Sequence, residues 1–175
     1  MKGLVMLAVV LFSAGTINAQ QKIGHVNYAE IFTSTPDYQR AEGELRNLDS
    51  AKTEELQGMF SLFQEKQNEA QELLRNRSEA NRETVDAQLN TLDAELQEFQ
   101  RRLQEVQQLA EQELTQKQQE LFAPIHQKVT TAIQNVAREK GYAYLFDISS
   151  TNIPFFEGGD DLSADVKTKL GIPLN

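Results

Sequence analysis

The strongest constraint on the fold is a run of apolar residues that recur at alternating spacings of four and three positions. The run consists of Val85, Leu89, Leu92, Leu96, Phe99, Leu103, Val106 and Ala110. An average spacing of 3.5 residues places these side chains along one stripe of an α-helix, which is the pattern of a coiled-coil seam. Because such a stripe is stable only when another helix covers it, the chain must provide a partner.

The partner is predicted within the same helix-rich stretch, residues 36–140. This stretch is rich in Gln, Glu, Leu, Ala and Arg and contains only two glycines before its end, a composition typical of long helices. Thr35, Pro36 and Asp37 form a good helix start, since they supply a hydroxyl cap, a proline whose missing N–H is harmless there, and an acid in the first turn. Gly141 marks an equally good end.

An interruption between Arg75 and Thr84 predicts that the helical stretch folds back on itself. This segment has no large apolar residue and is rich in Asn and Ser, which favour caps and turns. We therefore predict an antiparallel hairpin with its tip near residues 76–81 and arms about 60 Å long at about 1.5 Å per residue. With a reversal near residue 79, positions i and 158 − i are expected to face each other.

Pro124 lies inside the second predicted arm. A proline in a helix interior removes one hydrogen bond and costs about 3 kcal/mol or more. Counting back from the tip, the second arm is expected to outrun its partner just before this residue. The apolar spacing also changes there, because Leu121, Ile125 and Val129 follow one another every four residues, which moves the apolar stripe onto a new face. We predict a bend at Pro124 that acts as a hinge between arm and body.

The two ends of the chain, residues 20–35 and 141–175, are predicted to form a small β-rich oligomerisation body. The pattern predicts strands over 22–27, 142–149 and 152–159, and a short helix over 161–171. About fifty residues provide a small core for a projection of this length, so we expect the body to be completed by self-association. The predicted fold class is α+β, mostly α, with a long helical hairpin projecting from this body.

The first nineteen residues have the pattern of a secretory signal peptide. Lys2 is followed by an apolar run and by small residues up to Ala19, and the apolar run is too short to span a bilayer. Cleavage there would leave 156 residues with 16 basic and 26 acidic side chains, a net charge of −10. This acidity excludes a typical nucleic-acid-binding protein. Export without any cysteine favours a soluble protein of a bacterial periplasm.

No pattern in the sequence predicts catalysis. His25 and His126 have no second histidine or cysteine at ligand spacing, and Asp147 ends a predicted strand, where turn-capping aspartates are common. A glycine-rich phosphate loop, a nucleophile elbow and a zinc motif are all lacking. We therefore expect no catalytic, cofactor or metal site and no enzymatic activity.

A second apolar stripe accompanies the predicted seam of the first arm. It consists of Leu56, Phe60, Phe63, Ala70 and Leu74. One interpretation is a change of phase in the hairpin core. The other is an exposed apolar strip that binds a partner, as exposed patches often do.

The ends and the arms together resemble a known family. The segments "KIGHVNYAEIFTSTPDYQRAEGEL", "LFAPIHQKVTTAIQNVAREKGYAYLFDIS" and "DLSADVKTKLGI", in this order around a Gln- and Glu-rich hairpin, are similar to those of the Skp/OmpH family of periplasmic chaperones. The similarity covers nearly the whole mature chain.

This resemblance implies a homotrimer whose strands build a central body and whose three hairpins surround a cavity. Family members hold unfolded outer-membrane proteins there without ATP. The implied oligomerisation residues are Ile23, Val26, Tyr144 and Phe146. The implied client contacts are Met59, Phe60, Phe63 and Phe99. The best-known members are strongly basic, so the net charge of −10 argues against binding to anionic lipopolysaccharide.

A structural alternative explains the same hairpin. In this interpretation the chain is an oligomeric coiled-coil spacer or adaptor of the cell envelope, and the second apolar stripe is only core. Suppression of client aggregation separates a holdase from a spacer, because a spacer has no reason to bind unfolded chains.

Overall fold

The computed structural model describes residues 21–150, 153, 155 and 157–174; the predicted signal peptide lies outside them. The elements in chain order are β1 (Ile23–Val26), α1 (Tyr28–Ser34), α2 (Pro36–Arg75), α3 (Arg82–Glu139), β2 (Tyr144–Asp147), β3 (Asp160–Asp161) and α4 (Ser163–Lys169). Two very long helices and one small sheet confirm the predicted fold class, α+β and mostly α.

The structure divides into two compact units. One, the body, is formed by the described residues of Met1–Ile31 and Thr131–Asn175, and the other, the hairpin, is formed by Phe32–Thr130. The hairpin contains α2 and most of α3.

Helix α2 begins at the cap that the sequence predicts. Thr35 has an extended backbone, and its hydroxyl oxygen accepts a hydrogen bond from the N–H of Tyr38 at 3.1 Å. Pro36 occupies the first helical position, where its missing N–H leaves no intrahelical bond unmade. The helix then continues without interruption for 40 residues.

Asparagine side chains close the turn between α2 and α3. The Asn81 side chain accepts a hydrogen bond from the N–H of Ser78 at 2.6 Å and donates one to the Asn76 carbonyl at 3.0 Å. Arg77 donates two hydrogen bonds of 2.7 and 2.9 Å to the carboxylate of Asp86. The two hydrogen bonds of Asn81 satisfy backbone groups in the turn between the helix ends.

The heptad stripe of α3 packs as predicted. All eight of its residues from Val85 to Ala110 are buried or half-buried, while most of their neighbours are exposed. The facing stripe of α2 is also half-buried and runs through Leu45, Leu48, Lys52, Leu56, Met59, Phe63, Lys66, Ala70 and Leu73. Two of these positions hold lysines, so the seam is only partly apolar.

The register of the hairpin differs from the predicted one by about one helical turn. Ion pairs join Glu44 to Lys117 at 3.8 Å and Lys52 to Glu113 at 2.8 Å, so the numbers of contacting residues add to 161 and 165 rather than 158. The difference has a geometric cause. Each Cβ tilts toward the N-terminus of its own helix, so in an antiparallel pair the side chains of the two helices point in opposite directions along the hairpin. Two side chains therefore meet when each residue lies closer to the C-terminus of its own helix than the backbone count predicts, which raises the sum of the two residue numbers.

The prediction that the second arm has no partner from Pro124 onward is wrong for the same reason. Lys128 forms an ion pair of 2.7 Å with Asp37 in the first turn of α2, four residues beyond the proline. The hydrogen bond from Lys128 is the main reason why the pKa of Asp37 lies below its ordinary value. Pro124 lies inside α3, and its role as a hinge stays a prediction.

Four rings pack together at this end of the hairpin. Phe32, which is only 8% exposed, stacks on His126 with ring centroids 4.2 Å apart and meets Tyr38 and Phe122 edge-on. Tyr38 and Phe122 stack at 5.4 Å. The rings of Phe122 and His126 lie on either side of Pro124 in the sequence, and both contact Phe32 of α1.

The body contains a parallel sheet with strand order β2-β1-β3. Ile23 of β1 pairs with Tyr144 of β2. The predicted third strand over 152–159 is wrong where the structure describes it, because β3 consists of Asp160–Asp161 instead. Gly158 and Gly159 have φ angles of 95° and 87°, which are incompatible with an extended strand.

Helix α1 is the element that the sequence analysis missed, since residues 20–35 were predicted to be β-rich. Asn27 caps it by accepting a hydrogen bond from the N–H of Glu30 at 3.1 Å, and Asp147 accepts one from the N–H of Tyr28 at 3.1 Å. An asparagine followed three residues later by glutamate resembles a capping box. That signal was present in the sequence.

Asp147 also caps helix α1. Burial acts to raise the pKa of its carboxyl, but hydrogen bonds from Ser150, Ser149 and the backbone N–H of Tyr28 outweigh burial and lower the pKa below its ordinary value. The group stays ionised at neutral pH and joins the end of β2 to the start of α1.

The core of the body is small. Its most buried side chains are Val26, Ile31, Leu162 and Val166, each at most 2% exposed. Gly24 lies beside them in β1, where an added Cβ would come within 2.8 Å of the Asp160 carbonyl oxygen. A side chain at this position would push β1 away from β3.

We expect Gly24→Ala to lower the free energy of unfolding by about 1–3 kcal/mol, because it overpacks this contact. The matched control is Gly43→Ala in α2, where an added Cβ has no atom within 4 Å. It should raise stability by about 0.5–1 kcal/mol because alanine favours a helix interior. Urea unfolding followed by circular dichroism measures both. A Gly24→Ala protein as stable as the original would show that the strands do not approach so closely.

Candidate functional site

Four large apolar side chains on the hairpin are exposed. Phe60, Leu62 and Leu74 on α2 are 52%, 53% and 58% exposed, and Leu109 on α3 is 59% exposed. Phe60 and Leu74 are 14 residues apart, which is two heptads, so they share one flank of α2. Leu62 lies about 200° around the helix from Phe60 and therefore on another side. The arms thus present apolar groups on more than one side.

The second apolar stripe that the sequence showed divides into two sets. Leu56, Phe63 and Ala70 are half-buried and belong to the seam, whereas Phe60 and Leu74 are exposed. Part of the stripe therefore belongs to the hairpin core and part is exposed, and partner binding by the exposed part stays a prediction.

The predicted client contacts divide in the same way. Met59, Phe63 and Phe99 are half-buried, and the rings of Phe63 and Phe99 pack against each other across the seam with centroids 6.1 Å apart. Only Phe60 among the four is an exposed side chain. Leu74 was predicted only as a member of the second apolar stripe. Leu62 and Leu109 were not predicted as contacts.

Two lysines interrupt the apolar seam of α2 and pair across it. Lys52 contacts Glu113 at 2.8 Å, and Lys66 contacts Glu95. These hydrogen bonds are the main reason why the pKa of each lysine lies above its ordinary value. The ion pairs allow a charged head group at a seam position while the aliphatic stem covers apolar surface.

Beside each lysine pair is a groove between the arms. The groove near the tip has a volume of 560 Å³ and includes Leu73 and Leu92 in its lining. The second has a volume of 360 Å³ and includes Leu109 and Ala110. Both are open grooves on the surface of the hairpin rather than enclosed cavities in the seam.

The body presents its own apolar surface around the edge strand β2. Ile23, Tyr144 and Phe146 are 48%, 53% and 45% exposed, and the rings of Tyr144 and Phe146 stack with centroids 6.5 Å apart. A neighbouring cavity of 280 Å³ is lined mainly by apolar groups of Ile23, Phe146, Ile148 and Ile153. Val26, the fourth predicted oligomerisation residue, is 2% exposed and packs in the core of its own chain.

The predicted absence of catalytic and metal sites remains a prediction. Within residues 21–150, 153, 155 and 157–174, no three His, Cys, Asp or Glu side chains are grouped so that they could hold a metal ion. His126 stacks on Phe32, and Asp161 helps to position α4 by accepting a hydrogen bond from the N–H of Ser163 at 2.8 Å.

Among the helices of the described segments, none combines the length and the apolar character that crossing a membrane requires.

Comparisons with known proteins are consistent with this geometry. Residues 22–170 match the family described as Outer membrane protein (OmpH-like). No curated protein matches the chain. The fold is similar to the crystal structure of an OmpH-like protein from Caulobacter crescentus CB15, which is described as an outer membrane chaperone. The TM-score is 0.69 and the identity 18%, over 87% of this chain and 85% of the other; at this identity the likeness concerns the fold.

We expect Phe63→Ser to destabilise the hairpin by about 1–3 kcal/mol, because it removes a half-buried ring from the seam. Phe60→Ser should change stability by about 0.5 kcal/mol or less, because that ring is exposed. Thermal unfolding followed by circular dichroism compares the two variants, which make the same chemical change three residues apart. Equal losses of stability would show that both rings belong to the core.

Proposed function

The chain belongs to the OmpH-like family of outer membrane proteins, and we propose that it is an ATP-independent periplasmic holdase chaperone that keeps unfolded outer-membrane proteins from aggregating. The observation that carries this proposal is the set of exposed apolar side chains on the hairpin, namely Phe60, Leu62, Leu74 and Leu109. A spacer needs no apolar groups outside its seam. A protein that binds unfolded chains needs them on a soluble support.

The physical basis of holding is the sum of many weak contacts. Covering the exposed part of one leucine or phenylalanine contributes on the order of 1 kcal/mol, which is too little to trap a client at any single point. Several such contacts acting together give useful affinity. Each contact can be released separately, so a client leaves when it reaches a partner or fold that buries its apolar groups better, and no nucleotide is required.

We further propose that the protein is a homotrimer assembled through the body. The proposed contacts are Ile23, Tyr144 and Phe146, because they are exposed. Tyr144 and Phe146 lie in the edge strand β2, and Ile23 lies beside it in β1. An unpaired sheet edge with apolar neighbours favours association with another chain. Three hairpins from such an assembly would then enclose a client between them.

Pro124 is proposed as a point of bending within α3. Its ring prevents the backbone hydrogen bond to Glu120 that a regular helix would make. The neighbouring rings of Phe122 and His126 contact Phe32, so bending is expected to be limited. A small change of angle at this position would adjust the cavity to clients of different size.

The purified mature chain should have the mass of a trimer by light scattering coupled to size-exclusion chromatography. Tyr144→Ser combined with Phe146→Ser should shift it toward the monomer, because the two stacked rings no longer bury apolar area against another chain. Phe60→Ser is the matched control and should keep the trimer mass. A monomeric mass for the unaltered chain would contradict both the trimeric holdase and the oligomeric spacer.

At one trimer per client and without ATP, the protein should suppress light scattering when a urea-unfolded outer-membrane β-barrel protein is diluted into buffer. Phe60→Ser combined with Leu74→Ser should weaken client affinity about thirtyfold, since each of the two lost contacts contributes on the order of 1 kcal/mol. The control is Gln57→Ser with Gln71→Ser, two exposed positions of the same helix, and it should hold clients normally. Failure of the unaltered protein to suppress aggregation would favour the spacer.

A further inference from the structure

The negative charge of the chain is concentrated in the hairpin. Residues 32–130 carry 19 acidic and 11 basic side chains, a net charge of −8. Residues 20–31 and 131–175 together carry 7 acidic and 5 basic side chains, a net charge of −2. The apolar groups proposed to hold clients therefore stand on an acidic support.

Several cations of the tip half of the hairpin are paired with carboxylates, although Arg75 and Arg102 lie in no ion pair shorter than 4.0 Å within the described residues. Arg77 contacts Asp86 at 2.7 Å, Arg101 contacts Glu98 at 2.6 Å, and Lys66 contacts Glu95. The pKa of Lys66 lies above its ordinary value mainly through the hydrogen bond to Glu95, and the nearby charges of Glu69 and Glu65 raise it further. More carboxylates than lysines therefore surround this seam position.

The surplus carboxylates form a stripe beside an exposed leucine. Leu62, Glu65, Glu69 and Glu72 follow one another at spacings of three, four and three, so they share one side of α2. Within the described part of the chain, Glu65, Glu69 and Glu72 lie in no ion pair shorter than 4.0 Å. We call Glu65, Glu69 and Glu72 the acidic stripe.

The acidic stripe borders the groove near the tip. Glu69 lines this groove together with Leu73, Leu92 and the ion pair of Lys66 with Glu95, and Leu92 is only 6% exposed. The groove thus places the unpaired carboxylate of Glu69 beside apolar side chains, with Glu65 and Glu72 on the same side of α2. This combination complements a chain segment in which an apolar side chain stands next to a lysine or arginine.

We propose that the hairpin prefers unfolded polypeptide segments in which apolar residues alternate with lysine or arginine. This inference rests on the proposed function and adds the chemistry of the client. The apolar side chains of the client contact Leu62 and Leu73, and its cationic head groups face the acidic stripe. Each exposed ion pair contributes at most about 1 kcal/mol, but the summed field of the hairpin also speeds the encounter with cationic segments.

The test uses three unfolded peptides with identical leucine and tyrosine positions, whose remaining positions hold lysine, glutamate or serine. Fluorescence anisotropy measures their dissociation constants with the full mature protein. At low ionic strength the lysine peptide should bind about tenfold more tightly than the glutamate peptide, with the serine peptide between them. The difference should shrink to about twofold near 0.5 M salt, where charges are screened beyond a few ångström. Equal binding of the lysine and glutamate peptides at low salt would overturn the proposal.

Matched variants locate the effect. Glu65→Gln, Glu69→Gln and Glu72→Gln together should abolish most of the preference for the lysine peptide. Asp49→Asn, Glu54→Gln and Glu111→Gln make the same change of charge elsewhere on the hairpin and should retain most of it. An equal loss in both variants would refute the role of the acidic stripe. Circular dichroism checks that both variants keep their helix content.

The outcomes separate this inference from the proposed function. If the unaltered protein suppresses aggregation of an unfolded barrel protein but binds the lysine and glutamate peptides equally, the holdase stands and the charge preference is wrong. If it suppresses no aggregation and the serine peptide also fails to bind, the holdase itself is wrong.

Discussion

The pairing of α2 with α3 along a single seam is the interaction on which the rest of the structure depends. A helix in a globular core is covered on several sides, but each arm of this hairpin has one partner. Most seam residues are therefore only half-buried, and only Ala41, Val85, Leu92 and Ala110 among the apolar positions between residues 36 and 110 become fully buried. The same geometry explains why lysines are tolerated at seam positions, since their head groups reach a glutamate on the other arm. It also explains why apolar groups outside the seam stay exposed: the fold has no third helix in the hairpin to cover them.

Exposure and charge together suit a protein that binds other chains without aggregating. Apolar groups on a neutral rod would invite the rods to associate with one another, and a net charge of −8 over residues 32–130 opposes this by repulsion. The proposed preference for cationic segments would be a second effect of the same charge. Repulsion between hairpins and the proposed client preference would then share one property of the hairpin. In the body the balance is different, since the core is small and the stacked rings of Tyr144 and Phe146, the proposed contacts with further copies of the chain, are exposed.

Much of the fold was predictable because its signals are local. The heptad stripe, the cap at Thr35 and the Asn-rich turn each depend on residues within a few turns of one another, and all are present in the structure. The errors concern features that depend on distant residues or on side-chain direction. The register was wrong by a turn because counting residues from the tip ignores the tilt of Cβ atoms. Helix α1 was missed because the preceding strand pattern favoured a β-rich segment over the helix cap at Asn27. The third strand was misplaced because its pairing depends on β1, which lies more than a hundred residues away in the sequence.

The sequence by itself determined that the chain contains two long helices, where they start, where the chain reverses, and that the hairpin is acidic. Periodicity, capping and charge are properties of the chain alone. The tertiary structure decided which apolar residues are core and which are surface. Phe60 and Phe63 belong to the same apolar stripe in the sequence, yet Phe63 packs on Phe99 while Phe60 is 52% exposed. The two residues differ in burial because α3 covers the side of α2 that carries Phe63 and leaves the side that carries Phe60 open. The position of α3 is set by the whole seam and not by the local sequence.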